Sequence, residues 1–75
     1  MNGIVIRIDP TKNFAYINSQ NKDYFFHRED FDGHWNDLIS DYFRYEGEIR
    51  VEFEPKTTEK GLRARNVKRL DWPNQ

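Results

Sequence analysis

Seventy-five residues without a cysteine make one small domain, and exclude disulfides, thiolate metal sites and a cysteine nucleophile together. The net charge of −1 gives the molecule as a whole no basic footprint, and no apolar run approaches the roughly 20 residues that span a bilayer. Hydrophobic content is 36% but aromatics reach 16%, so much of the available core consists of large rings.

The first predicted strand is GIVIRI at 3–8, rich in β-branched residues and stopped by Asp9-Pro10. NFAYIN at 13–18 alternates large and small and predicts a second strand. SQNKD at 19–23 is turn-like, and YFFH follows as a third strand. In the middle of the chain Asp37 is placed to N-cap a helix of about two turns, with Leu38, Tyr42 and Tyr45 at helical spacing and Gly47 after it. IRVEFEP at 49–55 alternates cleanly, with Ile49, Val51 and Phe53 on one face and Arg50, Glu52 and Glu54 on the other. KTTEKG reads as a loop, and LRARNVKRL at 62–70 as the fifth strand. Pro73 falls in a short tail, 71–75, beyond a single domain spanning 1–70. Five short strands with one helical insertion predict an all-β antiparallel barrel.

Charge is distributed unevenly. Glu29 to Glu54 holds nine acidic residues against two basic ones, Arg44 and Arg50. Lys60 to Arg69 holds five basic residues and no acidic one. A local positive surface on a near-neutral molecule is one consequence, and a solvated strand balancing acidic neighbours is the other.

Two short segments, KNFAYI at 12–17 and DYFFH at 23–27, concentrate aromatic residues. Strand alternation puts Phe14 and Tyr16 on one face and Ala15 and Ile17 on the other. Phe25 shares a face with His27, and Tyr24 with Phe26. If Ala15, Ile17 and Phe26 pack inward, then Phe14, Tyr16, Phe25 and His27 point outward together. Such a cluster beside lysine and arginine suits single-stranded nucleic acid, whose bases stack on rings while cations follow its phosphates. The opposite assignment makes Phe14 and Tyr16 core and leaves Ala15 facing solvent.

The order of these motifs resembles the cold-shock domain, a five-stranded OB-fold barrel that binds single-stranded RNA and DNA. KNFAYI stands where that family carries a Lys-Gly-Phe-Gly-Phe-Ile type of motif, and DYFFH where it carries Asp-Val-Phe-Val-His. VEFEP followed by GLRARNV is similar to its last two strands, and Gly3-Ile4-Val5 to its opening strand. The resemblance runs over residues 2–70. It implies stacking roles for Phe14, Tyr16 and Phe25, with His27 as a fourth planar group. It implies phosphate contacts for Lys12 and for Lys60 in the final loop. Trp35 is the candidate for the aromatic of the family's long loop, with Phe31 or Phe43 as alternatives.

The chain departs from the pattern at several positions. Arg7 stands where the family's first strand usually carries a surface tryptophan, and Ile4 and Ile6 replace the flanking lysines. Arg28 replaces the aromatic that often follows the histidine. Guanidinium groups still stack on bases and also reach phosphates, so Arg7 and Arg28 join the expected binding residues. Asn13 and Ala15 replace two glycines, and asparagine tolerates the positive φ of a tight turn. In strand one, plain alternation groups Ile4, Ile6 and Ile8 on one face, whereas the family register puts Val5 inside and Ile4 and Ile6 outside.

No catalytic arrangement is legible. His27 and His34 lack metal-ligand spacing around them, Ser19 and Ser40 lack an activating elbow, and the four glycines are scattered singly. The residues therefore predict a non-enzymatic, cofactor-free and metal-free module in a reducing cytoplasm. Its expected partner is single-stranded RNA or DNA, gripped with low sequence specificity in the manner of an RNA chaperone. The alternative is an OB-fold protein-interaction module, with a homodimer through Ile4 and Ile6 as one form of it.

Overall fold

Asparagine-containing turns fold the first third of the chain into a meander of three antiparallel strands, β1 (Asn2–Asp9), β2 (Phe14–Ser19) and β3 (Lys22–His27). The structure, a computed structural model, describes residues 1–44 and 49–70. Between β1 and β2, the Asp9 carboxylate accepts the backbone N–H groups of Thr11 and Lys12, each at 3.0 Å. Asn13 then turns the chain at φ 60°, as its tolerance of that region predicts. Gln20 and Asn21, at φ 54° and 66°, form the two-residue turn between β2 and β3. Positive φ at both positions matches the twist of the strands it joins. The predicted turn of five residues is thus a turn of two.

After β3 come a single 3₁₀ turn (Arg28–Asp30), the helix α1 (Trp35–Arg44), and two long strands, β4 (Ile49–Thr58) and β5 (Gly61–Arg69). The stretch read as the loop KTTEKG is mostly strand. Only Glu59 and Lys60 turn, because Thr58 Oγ1 accepts from Lys60 N at 3.2 Å and donates to the Gly61 carbonyl at 2.9 Å. Asp37 lies inside the first turn of α1 and does not cap it, since the helix begins at Trp35. Tyr45, Gly47 and the tail from residue 71 lie outside the described residues.

The strands close into one barrel in the order β1-β2-β3-β5-β4, with β1 and β4 paired antiparallel to complete the circle. This is the five-stranded barrel expected, with its helical insertion between β3 and β4. The seam between β3 and β5 is parallel and pairs Phe25 with Arg63. Val5, Ala15, Ile17, Phe26, Leu38, Val51, Ala64 and Val67 are fully buried, and Phe53, Ile49, Tyr24, Trp35 and Ile8 nearly so. Burial of each large side chain contributes about 1.5–3 kcal/mol.

Strand β1 combines features of both readings of its faces. Val5 opposes Ile17 but the next pair is Arg7 with Tyr16, so Ile6 is an extra, bulged residue. Ile4 and Ile6 are therefore exposed, as the family register implies, while Ile8 returns to the core against Ala15. A second bulge lies on β5, where Asn66 adopts φ 52° between the pairs Glu52–Lys68 and Glu54–Arg65.

Helix α1 is tied to the barrel at several points. Leu38 and Trp35 enter the core, and the Tyr42 hydroxyl donates to the Ile6 carbonyl at 2.8 Å. Arg69 of β5 pairs with Asp41 at 2.6 Å in a partly buried salt bridge. No helix among the described residues is long and apolar enough to cross a membrane.

Candidate nucleic-acid interface

Inward packing of Ala15, Ile17, Tyr24 and Phe26 leaves the alternate residues of β2 and β3 on the outer face. Cross-strand register then assembles them, because Tyr16 pairs with Phe25 and Phe14 with His27. The three rings form a triangle with centroid separations of 5.4 Å for Phe14–Phe25, 5.6 Å for Tyr16–Phe25 and 5.9 Å for Phe14–Tyr16. Both contacts of Tyr16 are edge-on, and the Phe14–Phe25 pair is tilted. All three rings are half-buried, so they brace one another and still present surface to solvent.

His27 completes the row beside Phe14. Its Nδ1 accepts from Glu29 N at 3.3 Å, and its own N–H donates to Asp30 Oδ2 at 3.1 Å. This reciprocal cap fixes the imidazole at the start of the 3₁₀ turn and leaves Nε2 available to a ligand.

The expected cations surround these rings. The bulge at Ile6 turns Arg7 outward, directly across from Tyr16. Lys12 sits in the turn that leads into Phe14, and Arg28 follows His27. Lys60, in the β4–β5 turn, lines a groove with Tyr16 and Phe25. Arg7, Lys12, Arg28 and Lys60 are exposed, and none is engaged in an ion pair among the described residues. Free exposed cations beside exposed rings are the elements that a polyanion with flat bases requires.

Trp35 does not belong to this surface. It is 7% exposed and packs edge-on against Phe26 at 6.0 Å and against Phe31 at 6.2 Å. Its assignment as the loop aromatic is corrected: as the first residue of α1 on the core-facing side, it fills the barrel with Leu38. Phe31 is half-buried against the same core, whereas Phe43 is 59% exposed near the end of α1.

Two residues that sequence reasoning missed shape the platform. Arg63 holds its guanidinium carbon 5.0 Å from the centroid of Phe25, a cation–π contact. Asp30, with its side chain only 14% exposed, pairs with Arg63 at 3.3 Å and with Arg65 at 3.4 Å. Alternation along β5 would have put Arg63 and Arg65 on one face. Their meeting with Phe25 and Asp30 depends on the parallel seam, which has no local signal.

Among the other polar candidates, Ser19 has a structural role. Ser19 is buried and donates to the Asn2 carbonyl at 2.6 Å. His34, Asp32 and Asp37 line a common cleft with Lys68 and Arg69. Among the described residues no three His, Asp or Glu side chains gather in a metal-binding group.

No protein-family model matches the chain, and no curated protein matches it at a significant level.

Proposed function

We propose that this protein is a cold-shock-like module that binds single-stranded RNA or DNA, acting in the cytoplasm as an RNA chaperone. The observation that carries this reading is the Phe14–Tyr16–Phe25 triangle on the outside of the barrel, flanked by His27 and by Arg7, Lys12, Arg28 and Lys60, cations unpaired among the described residues. Bases released from a hairpin would stack on these rings, while the cations neutralise the adjoining phosphates. Stacking accepts every base, so most positions make little sequence demand. Competition between protein rings and base–base stacking then keeps structured RNA open without a cofactor or chemical step.

The test is anisotropy titration of labelled oligonucleotides with the wild type, Phe14→Ala and Phe25→Ala at low and moderate salt. Binding of single strands in preference to duplex, weakened by both substitutions and by salt, is expected. No detectable binding by the wild type at low salt would sink the reading.

A second reading, a protein-interaction module, rests on apolar exposure at Ile4 (44%) and Ile6 (43%). A homodimer seen by light scattering and lost in Ile6→Lys would favour it.

A further inference from the structure

We propose that the groove beside Tyr16 and Phe25 is a guanine-selective base subsite, an inference that rests on reading the platform as a single-strand binding surface. The groove is lined by Tyr16, Asp23, Phe25, Lys60, Leu62 and Arg63. Register dictates the arrangement. Phe25 pairs with Tyr16 on β2 and with Arg63 on β5. Asp23 lies two residues back on the same outward face of β3, a step of about 7 Å. Phe25 therefore stands at a corner, with a carboxylate along its strand and a guanidinium across its seam.

Because the Arg63 guanidinium already lies over the Phe25 ring, a base seated in the groove rests on its Tyr16 side and turns one edge toward Asp23 and another toward Arg63 and Lys60. Guanine is the base whose edges fit both. Its N1–H and N2–H₂ donate together to a carboxylate, and its adjacent O6 and N7 accept together from a guanidinium. Adenine sets its N6 donor beside N7 and so opposes the cation. Cytosine offers one donor beside an acceptor that repels the carboxylate. Thymine and uracil offer a single N3–H between two carbonyls, which makes them second best.

Both charged groups are held ready from behind. Asn18 Nδ2 donates to Asp23 Oδ1 at 2.9 Å, leaving the carboxylate further lone pairs. Asp30 Oδ2 accepts from Arg63 Nη2 at 3.3 Å, leaving Nη1 uncommitted. Asp23 and Arg63 share the groove yet form no ion pair, either with each other or, for Asp23, with any cation among the described residues. Opposite charges anchored apart around a ring floor are prepared for a ligand that carries both donors and acceptors. Asn18 and Asp30 are positioning residues. The remaining subsites keep their tolerance, so one selective position is compatible with low overall specificity.

The experiment uses oligothymidylate heptamers with a single central dG, dA, dC, deoxyinosine or 7-deaza-dG, titrated by anisotropy at one fixed salt concentration. Because the strand can slide, the odd base can find the subsite. Sliding seats thymine, the next-best base, in the subsite of the dA and dC heptamers, so the dG heptamer should bind several-fold tighter than either, by the margin of guanine over thymine. Deoxyinosine, lacking N2–H₂, and 7-deaza-dG, lacking N7, should each lose part of that advantage. Asp23→Asn should collapse the dG-to-dA ratio to within about twofold, whatever its absolute affinity. Equal binding of dG, dA and dC heptamers would overturn the guanine subsite and leave single-strand binding standing. A dG advantage untouched by both modified bases would overturn the assignment of edges. Failure of every heptamer to bind would overturn both this inference and the function beneath it.

Discussion

The Tyr42 hydroxyl donates at 2.8 Å to the carbonyl of Ile6, the residue of β1 that the pairing with β2 skips between Val5 and Arg7. Helix and bulge thus hold each other. The extra residue lets Val5 and Ile8 both point inward while Arg7 turns out to meet Tyr16. A strand of strict alternation would either bury Arg7 with Val5 and expose Ile8, or bury Ile8 and expose Val5. One hydrogen bond from α1 therefore supports the local distortion that puts a cation on the ring platform.

Removing that bond should be felt as stability. Tyr42→Phe deletes only the hydroxyl, so the expected loss is about 1 kcal/mol, as for other partly exposed hydrogen bonds. In a domain of this size that lowers Tm by roughly 4–8 °C, readable by circular dichroism. An unchanged Tm would show that solvent replaces the phenol at the bulge without cost.

Trp35 separates core from platform. Trp35→Ala should destabilise the barrel by about 3–5 kcal/mol, because it removes a buried ring that packs on Phe26 and Phe31. Trp35→Phe should fold and bind oligonucleotide within about twofold of the wild type, since the indole has no exposed face to offer. A large affinity loss in a folded Trp35→Phe would return this residue to the interface.

Salt dependence distinguishes phosphate contacts from stacking. On single strands each neutralised phosphate contributes about 0.7 to the slope of log K against log salt. Arg7→Gln and Arg28→Gln should each lower that slope by about 0.7, equally for all base compositions. Phe14→Ala should weaken binding by about 1–3 kcal/mol with the slope unchanged. A slope unaffected by either arginine substitution would remove both from the phosphate path.

Two glycines should fail for different reasons. A Cβ on Gly3 would stand 2.5 Å from Ile17 Cγ2 and 2.7 Å from the Asn18 carbonyl oxygen. Gly3→Ala must part β1 from β2, at a cost of about 1–3 kcal/mol or more. At Gly61 nothing lies within 4 Å, but its φ is 122°, so Gly61→Ala costs about 1–3 kcal/mol through backbone strain alone. Urea titration of both variants checks this. Neither Gly61→Asn nor Gly3→Asn should recover the loss, since φ 122° lies outside the left-handed region that asparagine tolerates and Gly3 fails by contact.

Much of the site was legible before the fold. Alternation put Phe14 with Tyr16 and Phe25 with His27, and inward packing of Ala15, Ile17 and Phe26, one of the two assignments it left open, brings all four together on the outer face. Asn13 was read as a left-handed turn and adopts φ 60°. Trp35 was misplaced because an aromatic in a polar stretch looks the same whether a helix turns it inward or a loop leaves it out. Asp37 was misread as a cap because α1 begins at Trp35, two residues earlier.

Strand positions, the alternation along β2, β3 and β4, and the left-handed turn at Asn13 follow from local rules: side chains alternate along a strand, and certain residues accept positive φ. Those properties were determined by the sequence alone. Only the tertiary structure decided the bulge that turns Arg7 outward, the burial of Trp35, and the meeting of Arg63 with Phe25 and Asp30. Each depends on hydrogen bonds or packing between segments distant in the chain, and barrel closure couples them. A strand's register against a remote neighbour is set by the volume its core must fill, and no short window of residues contains that volume.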